Sequence, residues 1–303
     1  MIKLFERILD SFLGYIAEKR LTIKGLKYSK IEKIVIPHCI NVCLLHFDAR
    51  IFESSKDFVN FIYRNIKDSL PKIDFLVLPP SLGTFLMGSI PFLNKHFYLK
   101  SGTTYIERFR ELLSRRFEDI MKWFSKELDI TIVSGGVDNE KEIIVQIYSK
   151  GNLLYSKDIL KEGPEVIKLN GYKLAVLNEE KARDFKTIRY FMEKKVYIYI
   201  VYTKKSSGNF WEDKLDIWAR SQSQGVYGIK SALSGRIFGK MYKGRSAITA
   251  PIPLTPNLDG YLAKSDLMGV TKLTATLNIL KLTSYLKNYE NGYEKYWNLI
   301  NKK

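Results

Sequence analysis

The 303-residue chain carries 49 Lys and Arg against 32 Asp and Glu, a formal net charge of +17, and is 46% hydrophobic. That length and apolar content suffice for one large buried core. No uninterrupted apolar run reaches the roughly 18–20 residues a membrane-spanning helix needs, and the start MIKLFERILD lacks the h-region of a signal peptide, so a soluble cytoplasmic protein without integral membrane association is expected.

In chain order, Ile2, Phe5, Leu9, Phe12 and Ile16 recur at steps of three and four, the stripe of an amphipathic helix. Its polar side mixes Glu6, Asp10 and Glu18 with Lys3, Arg7 and Lys19, which points to packing on the body or a sister subunit rather than on lipid. Residues 34–47 are β-like, 57–70 carry Phe58, Phe61, Ile62 and Ile66 at helical spacing, and IDFLVLPP (73–80) is a short buried strand stopped by prolines, together a βαβ unit. The chain's two cysteines, Cys39 and Cys43, exclude a disulfide framework. Strand alternation puts them on one side and His38 and His46 on the other, so no metal site is expected.

The aperiodic, glycine- and aromatic-rich segment 83–101 reads as a loop or lid. Residues 104–126 form a helix with Ile106, Phe109, Leu112, Leu113, Phe117, Ile120 and Trp123 inward, followed by strands at 130–133, 143–148 and 153–157. A turn at Asn170–Gly171 precedes a strand at 172–177, a helix over 179–194 and the fully buried strand VYIYIVY (196–202). A helix from Trp211 places Trp211, Leu215, Trp218 and Ala219 on one face, then come a strand at 226–229, a glycine-punctuated basic loop from Gly235 to Gly244, and a strand at 246–250 stopped by Pro251. A turn at Asp259–Gly260 leads to a Leu- and Tyr-rich helical tail over 272–300, with Tyr285, Tyr289, Tyr293, Trp297 and Ile300 in step.

The stretch from Trp211 to Pro251, a helix with ARSQSQ, a strand, a glycine loop and GRSAITAP, resembles the carbon-nitrogen hydrolase (nitrilase) superfamily, in which a helix bearing Arg-Ala-x-x-Asn precedes a Gly-x-Ser-x-Ile-x-x-Pro strand. The resemblance covers roughly residues 40–265. It implies an α/β, four-layer αββα sandwich over 31–270, with an added N-terminal amphipathic helix (1–30) and a C-terminal helical tail (271–303), one globular domain in all.

Enzymes of this family use a Glu, Lys and Cys triad. Aligned on its motifs, LVLPP puts Pro80 where the glutamate of Phe-Pro-Glu belongs, GNLLYSKDIL keeps the lysine as Lys157, and GYKLAVLNEE puts Asn178 at the cysteine, with Glu180 near the following acid. Proline has no titratable group and asparagine is not a competent nucleophile, so no catalytic residues and no cofactor are expected, and Ser81 or Ser156 has no histidine or carboxylate motif to activate it. The alternative is a divergent amidase or acyl-transfer enzyme using Lys157.

Between Lys230 and Leu258 five cations, Lys230, Arg236, Lys240, Lys243 and Arg245, stand without an acid, interleaved with Phe238 and Tyr242. Cations, stacking rings and glycines that admit an anion to backbone N–H groups are what a polyanion site uses. Arg236, Lys240, Tyr242, Lys243 and Arg245 are therefore the candidate DNA- or RNA-binding residues. A second cationic run on the helix after Asn178, including Arg183, Lys186 and Arg189, lies where the family forms its dimer, so a homodimer or larger homo-oligomer is also expected, and a purely structural assembly protein is a third possibility.

Overall fold

The computed structural model describes residues 2–26, 28, 38–90, 95–169, 171–205 and 214–288, the side chains of 2–7 and 95–105 excepted. After helix α1 (Ile2–Arg20), strand β1 (Cys39–His46) divides its side chains by alternation: Ile40, Val42 and Leu44 enter one apolar cluster, Cys43 and Leu45 another. A strand buried on both faces needs layers on both sides. Helix α2 (Ser55–Ile66) covers the Cys43 side with Phe58, Val59, Ile62 and Ile66, and is started by Ser54, whose side chain accepts from the Asp57 N–H. Strand β2 (Phe75–Val77) then pairs parallel with β1.

Helix α3 (Lys95–Glu127) runs from well before the expected start. Of its predicted inward residues, Ile106, Phe109, Leu113, Phe117 and Ile120 are buried, and Leu112 and Trp123 pack at the margin. The segment 83–101, expected as a loop or lid, ends in the first turns of α3 and begins with a buried 3-10 helix, Leu82–Ser89. Three residues per turn do not match the 3.6-residue template, so its apolar residues show no helical period although nearly all are buried.

Strands β3 (Thr131–Gly135), β4 (Ile144–Ser149) and β5 (Asn152–Asp158) follow as expected. A strand not anticipated, β6 (Val166–Leu169), forms a hairpin with β7 (Tyr172–Asn178). The helix expected over 179–194 is two, α4 (Glu179–Arg183) and α5 (Phe185–Glu193), because Asp184 leaves helical geometry and caps the second by accepting from the Lys186 and Thr187 N–H groups. Strand β8 (Ile198–Thr203) is buried at every position.

Trp211 lies outside the described residues. Over 214–218 the chain makes a π-helical turn with a non-helical residue at Asp216, and α6 (Ala219–Gln224) follows. The expected face is therefore out of phase: Leu215 is 58% exposed while Asp216 and Ile217 are buried. Strand β9 (Tyr227–Ala232) continues into a hairpin of β10 (Ser234–Ile237) and β11 (Lys240–Lys243), so the expected basic loop is β structure. Strands β12 (Ala247–Thr249) and β13 (Tyr261–Lys264) follow.

The expected helical tail begins late. Residues Thr271–Asn278 form strand β14, antiparallel to β1 along its whole length, and 279–288 are helical (α7). TKLTATLN alternates buried Leu273 and Leu277 with exposed Lys272, Thr274 and Thr276, a period of two with β-branched residues that outweighs the leucine-rich helical look. The tail residues Tyr289, Tyr293, Trp297 and Ile300 lie outside the described residues.

Two six-stranded sheets result, ordered β14-β1-β2-β3-β4-β5 and β13-β12-β9-β8-β7-β6. Each has three parallel strands at its centre, β1-β2-β3 and β7-β8-β9, flanked by antiparallel ones. Side chains of both sheets meet in one shared core, α2 and α3 cover the outside of the first sheet, and α4 and α5 cover the second. The layers are α, β, β, α. Helix α1 lies on α3 through Leu13, Ala17 and Leu21 and through the ion pairs Arg108–Asp10 and Arg116–Glu18. Of its expected apolar stripe, Phe12 is 54% and Leu9 40% exposed and Ile16 is half-buried, while the side chains of Ile2 and Phe5 lie outside the described ones.

Candidate functional site

The carboxyl ends of the central strands of the two sheets converge, which is where α/β sheets place ligands. Tyr202 and Ser231, on β8 and β9, both donate their hydroxyls to the Leu78 carbonyl just past β2, each at 3.0 Å. Asn178, ending β7, donates its amide to the Ile159 carbonyl just past β5 at 3.2 Å. The positions aligned with the family's triad therefore gather at one edge of the sandwich.

Pro80 brings no titratable group. Asn178 is an N-cap, its Oδ1 accepting from the Lys181 N–H at 2.8 Å, which explains the residue type at the head of α4. Lys157 shares with Tyr155 and Ile159 the face of β5 that looks toward the second sheet, but its ammonium is held by Glu165 at 2.7 Å and Glu162 at 3.3 Å. Those carboxylates, Glu165 foremost, push its pKa up, the wrong direction for a nucleophile or general base. Neither cysteine reaches this edge: both are on β1, and burial pushes the Cys43 thiol up to about 12.

The strand ends hold a different constellation. Lys204, just past β8, lies 2.9 Å from Oδ2 of Asp138, just past β3, with side chains 5% and 0% exposed. Lys204 also donates to the carbonyls of Asn139 at 2.9 Å and Glu142 at 2.5 Å, so all three of its protons have acceptors. Asp138 accepts from the Ile144 N–H at 3.2 Å, and its main chain exchanges two bonds with Thr84. Burial alone pushes the Asp138 carboxyl up and the Lys204 ammonium down, and each holds the other's charge in place.

Ser81 faces this pair from the residue after Pro80. It is fully buried and left-handed at φ 58°, a conformation that costs a non-glycine residue about 1–2 kcal/mol. Its hydroxyl helps hold the Asp138 charge without closing a hydrogen bond of normal geometry. Gly135 makes the approach possible, because a Cβ there would overlap the Ser81 N and Pro80 backbone. On the far side Glu179 bonds Thr203 and pairs with Lys205, and Glu142, despite partial burial, is held below the usual carboxylate range by Arg110 and Lys161.

Asp138 and Lys204 carry no motif. Each is a single charged residue, Lys204 one position past β8 and Asp138 three past β3, and only the stacking of the sheets makes them partners.

The basic hairpin splits the residues expected to act together. Arg236 and Lys243 point outward beside Met241, whereas Lys240 turns to Glu140 at 2.9 Å. Tyr242 and Phe238 are buried in the core under the first helical layer, which leaves neither ring open for stacking. Arg245 lies beyond the hairpin, in a cavity on the second sheet. Among the described residues no three His, Cys, Asp or Glu side chains converge as a metal site, and no helix is long and apolar enough to cross a membrane.

An αββα sandwich whose site lies at the strand ends between the sheets is the architecture of carbon-nitrogen hydrolases. Solved structures agree: the chain has the nitrilase-superfamily fold. A double mutant of the amidase from Nesterenkonia sp. AN1 in complex with acrylamide superposes with a TM-score of 0.59 at 13% identity, covering 87% of this chain and 99% of that one. Another mutant of that amidase, described as from the nitrilase superfamily, gives 0.59 at 14% over 85% and 97%. An amidase from Nesterenkonia sp. gives 0.59 at 13% over 86% and 98%. No protein-family model and no curated protein matches the sequence.

Proposed function

We propose that this protein keeps the carbon-nitrogen hydrolase scaffold without its cysteine chemistry and works by binding. What supports the reading is the strand-end edge itself, where the motif alignment sets Pro80 and Asn178 at the positions of a base and a nucleophile and the neighbouring interior holds the Asp138–Lys204 pair. The partner we propose is a polyanion, DNA or RNA, held by Arg236 and Lys243 on the outer face of the hairpin, with Lys240, which pairs with Glu140, on the same hairpin and Arg245 beyond it. Binding of this kind is dominated by phosphate contacts and weakens steeply with salt. A shift assay at low salt tests it: retention of nucleic acid that is lost on replacing Arg236, Lys240, Lys243 and Arg245 together is expected, and no retention by the unaltered protein rejects the partner.

The likeness to amidases favours a second reading, an amidase or acyl-transfer enzyme of divergent site. Lys157 is its proposed catalytic group, and Ser81, strained and set against a buried acid and amine, is the hydroxyl in best position to act as nucleophile. Turnover of an amide, nitrile or acyl donor that vanishes in Lys157→Ala or Ser81→Ala would establish it over the binding reading.

Self-association is proposed through the outer helical layer, where Phe185 is 70%, Met192 50% and Leu215 58% exposed. Light scattering on Phe185→Glu/Met192→Glu should report a smaller particle than the unaltered chain.

A further inference from the structure

Away from the strand-end cluster, a cavity of about 260 Å³ opens on the outer face of the second sheet, between the 214–218 turn and strands β9, β12 and β13. That volume lies just below the range of drug-sized ligand cavities, which begins at roughly 300 Å³, so the cavity suits a small molecule.

Its wall is aromatic and fixed in advance. The Trp218 and Tyr261 rings stand 6.5 Å apart with a 34° tilt. The indole N–H donates to the Asp259 carbonyl at 2.9 Å, and Gly260, at φ +81°, lets that turn come so near that any Cβ would overlap the indole nitrogen. Gln222 braces the adjoining segment, donating to the Ala250 carbonyl at 3.0 Å and accepting from the Ile252 N–H at 2.8 Å. Rings already immobilised lose little entropy when a ligand arrives.

Three cations border the same space: Lys230, Arg245 and Lys264. Lys230 is buried and answered by Asp216 at 2.7 Å. Lys264 lies 5.3 Å from the centre of the Tyr261 ring, and half-buried Arg245 has no ion-pair partner among the described residues. Asp266 is the acid in the lining, and its charge also bears on His46. A space kept only for packing would be filled by apolar side chains. This one keeps flat rings and positive charge.

We propose that the cavity binds a small anionic molecule carrying a planar ring, with the ring against Trp218 and Tyr261 and the acid group at Arg245 and Lys264. A guanidinium answers a carboxylate or a phosphate equally well in geometry, and aromatic carboxylates and mononucleotides share this chemistry. The site is separate from the strand-end cluster and does not depend on whether that cluster turns over a substrate.

Calorimetric titration of the whole protein with benzoate, indole-3-acetate and AMP, each beside its neutral counterpart benzamide, indole-3-acetamide or adenosine, tests the proposal. At least one acid is expected to bind at or below roughly millimolar concentration, with its neutral counterpart about tenfold weaker or worse. Binding by the carboxylates alone or by AMP alone identifies the acid group. Arg245→Gln/Lys264→Gln should lose about tenfold with an unchanged circular dichroism spectrum, and the milder Trp218→Phe should weaken binding less. No binding by any of the three acids, equal binding of acid and neutral forms, or a double variant that binds as the unaltered protein does would overturn it.

Discussion

The Lys204 ammonium and the Asp138 carboxylate sit 2.9 Å apart at the meeting of the two sheets, with almost no exposure to solvent. Removing one charge strands the other. Lys204→Met should cost about 3–5 kcal/mol in urea unfolding, whereas Asp138→Leu/Lys204→Met, which removes both, should cost markedly less. Equal loss in the single and double variants would mean that the pair contributes through shape alone.

His46 links stability to acid. Its Nδ1 lies 2.9 Å from the Ser246 Oγ, and burial lowers its pKa against the opposing pull of Asp48, Asp266 and the Leu267 carbonyl. The folded state therefore keeps a neutral ring that the unfolded chain protonates near pH 6.5, so this stabilisation is present above that pH and is lost as pH falls below it. The slope cannot exceed about 1.4 kcal/mol per pH unit for one proton. Unfolding curves between pH 7.5 and 5 should be steeper in pH for the unaltered protein than for His46→Gln.

The two thiols should react differently. Cys43 is buried with its pKa pushed up to about 12, whereas Cys39 is partly exposed. Because the thiolate is the reactive form, a disulfide reagent at pH 8 should modify Cys39 in the folded protein and reach Cys43 only in denaturant, as counted by mass spectrometry.

Asn178 is predicted to matter for stability rather than turnover. Asn178→Ala removes both the cap of α4 and the bond to Ile159, about 1 kcal/mol each. Asn178→Ser keeps a capping hydroxyl and should recover about half of that loss in thermal unfolding.

By itself the sequence determined the central elements. The apolar run of β1, the unbroken apolar strand β8, the inward face of α3 and the helix-then-strands order from α6 to β12 follow from local preference and patterning, which neighbouring residues suffice to set. That Pro80 and Asn178 stand at strand ends was legible, because the apolar runs before them stop there. The tertiary structure decided the rest. Asp216 leaves the helical phase to meet Lys230 on β9, and the rings of Phe238 and Tyr242 leave the surface because the core beneath the hairpin takes them. Asp138 and Lys204 are 66 positions apart and become a pair only when two sheets stack, and Trp218, Arg245, Tyr261 and Lys264 face one cavity only when β12 and β13 pair beside β9. Contacts so distant along the chain leave no periodic trace, because no local preference has to anticipate them.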